Sequence, residues 1–214
     1  MHNKITLVIG PKGSGKTYKV ISLLEKEQRV AVFDMVHEQG YNDCIPYMNQ
    51  PAEFAKAIDP SVETFRVAYR PVLIDVQDNG LVDSPEFEPF VMLCFKRGNM
   101  TMVIDEAHLL CNSRNCPKSL MVANLVGRHR ELSMILVAQS FSGIHPAIRK
   151  NADEFYFWKI IEPSDLDGIK DRCGDEVRDQ VKNLKATETD DDDNFIAPGQ
   201  VLHWKKAKGV VSID

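Results

Sequence analysis

The 214-residue sequence has no apolar run long enough to cross a membrane. Its apolar runs are short, such as residues 135–138, whereas a membrane-spanning helix needs roughly 20 predominantly apolar residues. Residues 1–4 lead straight into a strand-like segment and show none of the features of a secretory signal peptide. We therefore expect no transmembrane segment and no export signal in this chain.

Cysteine is scarce, and the charges nearly balance. The five cysteines are odd in number and irregularly spaced, which argues against a disulfide framework and favours a reducing compartment. Lysine and arginine number 26 against 31 aspartates and glutamates, so the net charge is −5. A surface that coats nucleic acid would be basic, so any contact with nucleic acid must be local. The length and ordinary apolar content predict a single globular domain over residues 1–214.

Strand-like and helix-like segments alternate along the chain, which is typical of an α/β domain with a mainly parallel core sheet flanked by helices. Core strands are predicted at residues 5–9, 29–34, 101–105, 133–139 and 154–159, with an additional strand at 64–69. Helices are predicted at about 17–28, 52–58, 85–97, 120–130 and 164–184. Residues 187–194, which include four consecutive aspartates, are predicted to form a solvated acidic loop. Residues 200–204 and 209–213 are predicted to form a C-terminal hairpin.

The strongest motif is the phosphate-binding loop Gly-x-x-x-x-Gly-Lys-Thr at residues 10–17, between an apolar strand and an amphipathic helix. Its glycines let backbone N–H groups point inward at phosphates, and the helix N-terminus favours an anion. Lys16 can reach the β- and γ-phosphates, and the Thr17 hydroxyl can ligate Mg²⁺. The ring of Tyr18 either stacks on a nucleotide base or packs against the protein. The predicted nucleotide-binding residues are Gly10, Pro11, Lys12, Gly13, Ser14, Gly15, Lys16, Thr17 and Tyr18.

A second motif is the apolar strand that ends in Asp105 and Glu106. Beside a phosphate-binding loop, Asp105 would hold Mg²⁺ through a bound water and Glu106 would polarise the attacking water. Nucleotide switches often lack the second acid, so the pair favours an enzyme that hydrolyses ATP repeatedly. Gln139, at the end of the fourth core strand, could hydrogen-bond the γ-phosphate and the attacking water, or could simply cap its strand.

Together with residues 127–129 and 135–139, these motifs resemble the FtsK–HerA superfamily of P-loop ATPases, whose members pump DNA or protein through hexameric rings. The small size is most similar to the genome-packaging ATPases of membrane-containing icosahedral viruses. The resemblance implies the strand order 5-1-4-3-2, ATP and Mg²⁺ as cofactors, and a homo-oligomeric ring, most simply a hexamer, with DNA in its pore. It also implies that Arg128 reaches the γ-phosphate of a neighbouring subunit, with Arg130 as the competing candidate.

A second resemblance is to the zonula occludens toxin-type ATPases of filamentous phages, which extrude single-stranded genomes. It rests on residues 13–18, on Arg128-His129 and on residues 144–149. Those proteins normally carry a transmembrane segment, so this interpretation ranks second.

The favoured function is packaging of double-stranded viral DNA by an ATP-driven motor, with a capsid or membrane-vertex protein as partner and a location on the virion or in the host cytoplasm. The alternatives are single-stranded DNA export and a nucleotide-dependent switch that is not a motor.

Two further groups of residues are given less weight. His108, Cys111 and Cys116 lack a fourth ligand at a convincing spacing, so we expect small buried thiols here and not a zinc site. Six basic residues are either ordinary surface groups or, in a ring, the lining of a DNA pore. They are Lys96, Arg97, Arg114, Lys118, Arg149 and Lys150.

Overall fold

The computed structural model describes residues 3–37, 39–72, 75–76, 81–189 and 195–214. The helices are α1 (Lys16–Leu24), α2 (Pro51–Ala57), α3 (Phe87–Arg97), α4 (Lys118–Val126), α5 (Pro146–Asn151), α6 (Pro163–Cys173) and α7 (Asp175–Asn183). The first strands are β1 (Ile5–Ile9), β2 (Arg29–Phe33), β3 (Ile45–Met48), β4 (Phe65–Arg70), β5 (Asp75–Val76), β6 (Val82–Asp83) and β7 (Met100–Ile104). The remaining strands are β8 (Leu132–Ala138), β9 (Glu154–Phe157), β10 (Glu188–Thr189), β11 (Phe195–Ala197), β12 (Leu202–Lys205) and β13 (Gly209–Ile213).

The main sheet has nine strands in the order β13-β12-β9-β1-β8-β7-β2-β4-β3 within the described residues. All neighbouring pairs from β9 to β3 are parallel, and the C-terminal strands β12 and β13 are antiparallel. The α/β class with a mainly parallel sheet is therefore confirmed, and the five core strands run 5-1-4-3-2. Every residue of β1, β7 and β8 is buried, as expected for parallel strands that are covered on both faces.

Local chemistry explains where the predicted elements differ from the structure. The strand β3 was not predicted because it contains Pro46, which is tolerated since β3 lies at the edge of the sheet. The helix predicted at 164–184 is broken at Gly174, whose φ of +99° suits glycine. The helix predicted at 120–130 continues as an α-helix only to Val126 and then becomes a 3₁₀ turn over Gly127–Arg130.

The predicted acidic loop is only partly described. Glu188–Thr189 form the short strand β10, which pairs antiparallel with β11, so this part of the predicted loop is a strand. The four aspartates and Asn194 lie outside the described residues.

The predicted C-terminal hairpin is confirmed, and it also extends the main sheet by pairing β12 antiparallel to β9. Aromatic contacts fix it there. Phe155 of β9 lies 5.3 Å from Trp204, and Tyr156 stacks on His203 with ring centroids 4.2 Å apart. The hairpin thereby covers the edge that β9 would otherwise expose.

Glu154, at the start of β9, lies among cations from both ends of the chain. Its side chain is 8% exposed and accepts a hydrogen bond from the Lys4 ammonium at 2.7 Å. His203 Nε2 lies 3.7 Å and Lys205 Nζ 3.4 Å from its carboxylate oxygens. Contact with His203, followed by the bond and charge of Lys4 and the charge of Lys205, lowers the pKa of Glu154 from 4.5 to about 2. The ionised carboxylate therefore ties the hairpin and the N-terminal strand together.

A depressed carboxyl pKa stabilises the folded state above the unfolded pKa, and that contribution is lost as the pH falls towards the folded pKa. We expect Glu154→Gln to lower the free energy of unfolding at pH 7 by up to about 3 kcal/mol, with a difference that shrinks between about pH 5 and pH 2. Urea unfolding at several pH values measures this. Glu63→Gln, at an exposed loop residue, is the control and should change little. A pH-independent difference for Glu154→Gln would contradict the assignment.

Candidate functional site

The predicted site residues other than Arg128 converge at the carboxyl ends of three adjacent strands. The phosphate-binding loop follows β1, Gln139 follows β8, and Asp105 and Glu106 follow β7. The order β1-β8-β7 places Gln139 between the loop and the acid pair. In open parallel sheets this edge is where ligands bind.

The loop has the backbone geometry that its glycines predict. Gly13 and Gly15 have φ values of +74° and +95°, a region that residues with a side chain adopt only with strain. Gly15 directly precedes the first helical residue, Lys16. The N–H groups at the start of α1 therefore face the space that the loop encloses, which is the geometry of an anion site.

Lys16 is only 7% exposed, and its ammonium donates a hydrogen bond to the Pro11 carbonyl at 2.8 Å. This bond folds the side chain back across the loop instead of extending it into solvent. A cation is therefore held against the loop backbone, in the position from which it could contact phosphate oxygens.

A cavity of about 590 Å³ joins the loop to the acid pair, with Lys16, Thr17, Asp105 and Glu106 in its wall. Asp105 is buried, and its Oδ1 accepts a hydrogen bond from the Glu106 backbone N–H at 3.0 Å. The Thr17 hydroxyl and the Asp105 carboxylate supply hard oxygen ligands of the kind that Mg²⁺ prefers. These residues fit a Mg²⁺ ion that takes its remaining ligands from water and phosphate.

Glu106 is held between two side chains. The Gln139 amide lies 3.2 and 3.3 Å from its two carboxylate oxygens, and His108 Nδ1 lies 3.2 Å from Oε2. Glu106 itself has φ +46°, and the 3₁₀ turn Ala107–Leu109 that follows brings His108 back beside it. The Gln139–Glu106 contact brings together two predicted residues from different strands.

His108 is a site residue that the sequence does not identify, because its spacing from Cys111 and Cys116 suggests only a metal ligand. Burial lowers its pKa, the positive charge of Lys16 lowers it further, and Glu106 partly offsets both. The imidazole is therefore mainly neutral at pH 7, and it lies beside Glu106 without hydrogen-bond geometry to it. The sequence feature that could have indicated this contact is the position of His108 two residues after Glu106, in a tight turn.

The cysteines of the discounted cluster interact with each other rather than with His108. A hydrogen bond from Cys116 lowers the pKa of the Cys111 thiol, and the same contact raises that of Cys116. Within the described residues, no group of three or more His, Cys, Asp or Glu side chains could hold a metal ion by itself.

Arg128 and Arg130 lie at the opposite end of the parallel strands from the loop, just before the amino end of β8. Both precede β8, a seven-residue strand that runs parallel to β1 and spans about 20 Å. The half-exposed Arg128 guanidinium donates to both carboxylate oxygens of Asp153 at 2.8 Å. Arg130 lies over the Phe95 ring at 5.7 Å. Neither arginine is brought near its own phosphate-binding loop.

Tyr18 and the predicted pore residues that the structure places in contacts have separate surroundings. The Tyr18 side chain is 81% exposed at the mouth of the cavity. Arg97 pairs with Asp59 at 3.4 Å. Arg149 lies 5.0 Å from the centre of the Phe141 ring, and burial lowers its pKa. These two arginines are therefore engaged within the fold.

A protein-family model described as "Zonular occludens toxin (Zot)" matches residues 4–173. No curated protein sequence matches the chain. Among described residues, no helix is both long and apolar enough to span a membrane.

Solved structures share the fold over nearly the whole chain. The genome packaging NTPase B204 of Sulfolobus turreted icosahedral virus 2, in complex with AMPPCP, is 21% identical with a TM-score of 0.73, over 98% of this chain and 96% of that one. The DNA-packaging ATPase B204 of Sulfolobus turreted icosahedral virus is 18% identical with a TM-score of 0.67, over 99% and 96%. The N-terminal domain of zonular occludens toxin from Neisseria meningitidis is 14% identical with a TM-score of 0.50, over 100% and 96%.

The electrostatic coupling around His108 can be tested by NMR. We expect His108 to titrate below the usual range of histidine in the wild type. Lys16→Ala should raise its pKa by removing a nearby positive charge, and Glu106→Gln should lower it by removing a negative one. A pH titration of the imidazole resonances measures these shifts, with exposed His129 as an internal control. Identical His108 pKa values in all three proteins would contradict the arrangement.

Proposed function

The chain belongs to the zonular occludens toxin (Zot) family, and from this membership together with the site geometry we propose that it is a Mg²⁺-dependent ATPase that translocates DNA. The contact of Gln139 with Glu106, beside the phosphate-binding loop, carries the proposal. The contact supports the proposal because it brings together a carboxylate and an amide that could act on the terminal phosphate of a nucleotide bound at the loop.

In this proposal the loop and Lys16 bind the phosphates of ATP. Backbone N–H groups at residues 13–17 donate to phosphate oxygens, and the Lys16 ammonium exchanges the Pro11 carbonyl for the β- and γ-phosphates. Thr17 and Asp105 would hold Mg²⁺, which offsets charge on those phosphates when it is bound.

Glu106 orients the attacking water and accepts its proton. Gln139 and His108 position its carboxylate, and Gln139 is near enough to turn from Glu106 towards the γ-phosphate. The neutral His108 lies against Glu106 without a full positive charge that would depress the basicity of Glu106.

Arg128 would complete the site of a neighbouring subunit in a ring. Because it lies at the far end of β8 from its own loop, any contact with a nucleotide would be with that of another subunit. A guanidinium stays charged at neutral pH and presents fixed donors, which suits the charge that spreads over phosphate oxygens in the transition state.

The favoured output is packaging of double-stranded viral DNA, with DNA in the ring pore and a capsid or membrane-vertex protein as partner. It is supported by the B204 structures, which are named as genome- or DNA-packaging enzymes. Export of single-stranded DNA is the second candidate and is supported by the family match over residues 4–173. A slow nucleotide switch on a virion is the third.

The hydrolysis proposal predicts that Glu106→Gln still binds ATP while turnover falls by about 10²–10⁴, because the amide keeps the shape of Glu106 but loses its basicity. Steady-state ATP turnover, with and without DNA, measures this alongside equilibrium ATP binding. The control is Glu131→Gln, another glutamate with positive φ (+55°), which precedes β8 at the opposite edge.

Parental turnover in Glu106→Gln would remove Glu106 from the mechanism. Stimulation of the wild type by double-stranded DNA supports packaging, and stimulation by single-stranded DNA alone supports export. A single slow turnover per binding event, insensitive to DNA, supports the switch.

The ring proposal predicts that Arg128→Ala and Lys16→Ala are each inactive alone and that mixed rings recover activity. In a mixed ring, an intact loop in the Arg128→Ala subunit can face the intact Arg128 of a Lys16→Ala neighbour. A trans-acting arginine contributes about 10³–10⁵ in rate where its effect is largest. ATP turnover over a series of mixing ratios measures the recovery.

Asp153→Asn tests whether loss of the ion pair within the subunit, and not loss of a catalytic arginine, explains a loss of activity in Arg128→Ala. It removes the charge that Arg128 contacts while leaving an acceptor for the Ile5 N–H. A half-exposed pair contributes under about 1 kcal/mol, so Asp153→Asn should keep its activity. Full activity of Arg128→Ala would refute the role of Arg128, and failure of every mixture with rings intact would make Arg130 the next residue to test.

A further inference from the structure

Asp165 is a buried acidic residue in the first turn of α6, outside the cavity that joins the phosphate-binding loop to the acid pair. Burial of a carboxylate costs free energy unless hydrogen bonds compensate for the lost water. Its Oδ1 accepts two such bonds, from the Ser140 hydroxyl and from the Ser142 N–H, both at 2.8 Å. Both donors belong to the segment that directly follows Gln139, so this carboxylate holds the chain next to a residue of the candidate site.

The segment over residues 140–143, which we call the β8 turn, is closed by a hydrogen bond of its own. The Ser140 hydroxyl donates to Asp165, and its oxygen also accepts a hydrogen bond from the Gly143 N–H at 3.1 Å. Because the turn is closed on itself, a bond to one part of it limits the movement of the whole turn. That restraint extends to Gln139, which directly precedes it.

The helix α6 packs closely on the β8 turn as well as bonding to it. Phe141 is fully buried, and its ring lies 5.7 Å from that of Phe155 in β9. One turn along α6 from Asp165, Gly168 has little room for a side chain, because a Cβ there would lie 3.0 Å from the Phe141 ring. The helix, the β8 turn and the core are therefore packed together, which fixes Asp165 relative to the turn.

The same turn reaches the residues around Glu106. The Gln139 amide, just before the turn, lies 3.2 and 3.3 Å from the two carboxylate oxygens of Glu106. A Cβ at Gly143 would lie 3.5 Å from that of His108, so the turn also packs beside the 3₁₀ turn that follows Glu106. A displacement of the β8 turn would therefore displace the Gln139 amide, and a shift of about 1 Å at a positioned group can lower a rate by about 10²-fold.

An acidic residue in the first turn of a helix can also act through the helix dipole alone. That effect needs neither burial nor a bond to another segment. Asp165 is only 3% exposed, and both hydrogen bonds to its Oδ1 come from the β8 turn. These contacts indicate a role in placing the β8 turn.

We propose that Asp165 is a positioning residue for ATP hydrolysis, which holds the β8 turn so that the Gln139 amide lies against Glu106. It acts through Ser140 and Ser142 and does not itself contact the nucleotide. When ATP is bound, the same restraint keeps the amide within reach of the γ-phosphate and the attacking water. This inference rests on the proposed function of Gln139 and Glu106, and it adds the residue that sets their contact.

The kinetic test compares steady-state ATP turnover by Asp165→Ala, Asp165→Asn and Asp167→Ala, each in the full chain. Asp167 is the matched control, because it is the same residue type, exposed on the same helix. We expect Asp165→Ala to lower kcat by about 10–100-fold and to change KM by less than about twofold, because the phosphate-binding loop is unchanged. Asp165→Asn keeps an Oδ1 that accepts both bonds, so its kcat should stay within about threefold of the wild type. An equal loss in both Asp165 variants, or a loss in neither, would overturn the proposal.

A double-mutant cycle determines whether Asp165 acts through Gln139. Gln139→Ala should itself lower kcat, and Asp165→Ala should then lower it no further, because the group that Asp165 positions is gone. A merely structural role would lower kcat by the same factor in both backgrounds, and that result would count against the proposal. Ser140→Ala, which removes one donor to Asp165 with little change in volume, takes the place of Asp165→Ala in the cycle if that variant does not fold.

A measurement without nucleotide separates this inference from the function on which it rests. The side-chain amide resonances of Gln139 should shift in Glu106→Gln, because the carboxylate that they contact is changed. In Asp165→Ala the same resonances should no longer respond to Glu106→Gln. If the wild type does not hydrolyse ATP, the proposed function is wrong, and so is a role of Asp165 in hydrolysis. If the wild type does hydrolyse ATP but the Gln139 resonances of Asp165→Ala still respond to Glu106→Gln, only the positioning by Asp165 is wrong.

Discussion

The adjacency of three buried parallel strands, β1, β8 and β7, is the constraint on which the candidate site depends. Each strand ends on the same side of the sheet, so a loop, an amide and an acid pair that are far apart in sequence lie close together, and Gln139 comes within hydrogen-bond reach of Glu106. The strands are buried along their whole length because both faces of the sheet are covered, and this burial makes their relative register rigid. The relative positions of the site residues are therefore determined by how the core strands pack.

Glu106 and Lys16, two charged groups in the wall of the cavity, each have a polar partner. Glu106 lies between the Gln139 amide and His108, and Lys16 is folded onto a backbone carbonyl. Burial and the nearby ammonium keep His108 mainly neutral at neutral pH, so it lies against Glu106 without adding a full positive charge. The geometry suits a carboxylate that must keep its basicity while its position is fixed.

The two edges of the sheet are chemically different, and this asymmetry supports the proposed ring. The carboxyl edge holds the phosphate-binding loop and the acid pair, whereas the amino edge presents Arg128 on a short turn beside Asp153. One chain cannot bring these edges together, since the length of β8 separates them. A head-to-tail arrangement of identical chains would do so, and such contacts close into rings when the rotation permits.

By itself the sequence determined the phosphate-binding loop, the acid pair and the parallel core, because glycine spacing and apolar strands are local signals. Tertiary structure alone decided the edge strand β3 with its Pro46, the docking of β12 on β9, and the contact of His108 with Glu106. It also decided the two hydrogen bonds that Asp165 accepts from the segment after Gln139. These features depend on which distant segments pack together, and long-range packing leaves no periodic trace in the residues that make it.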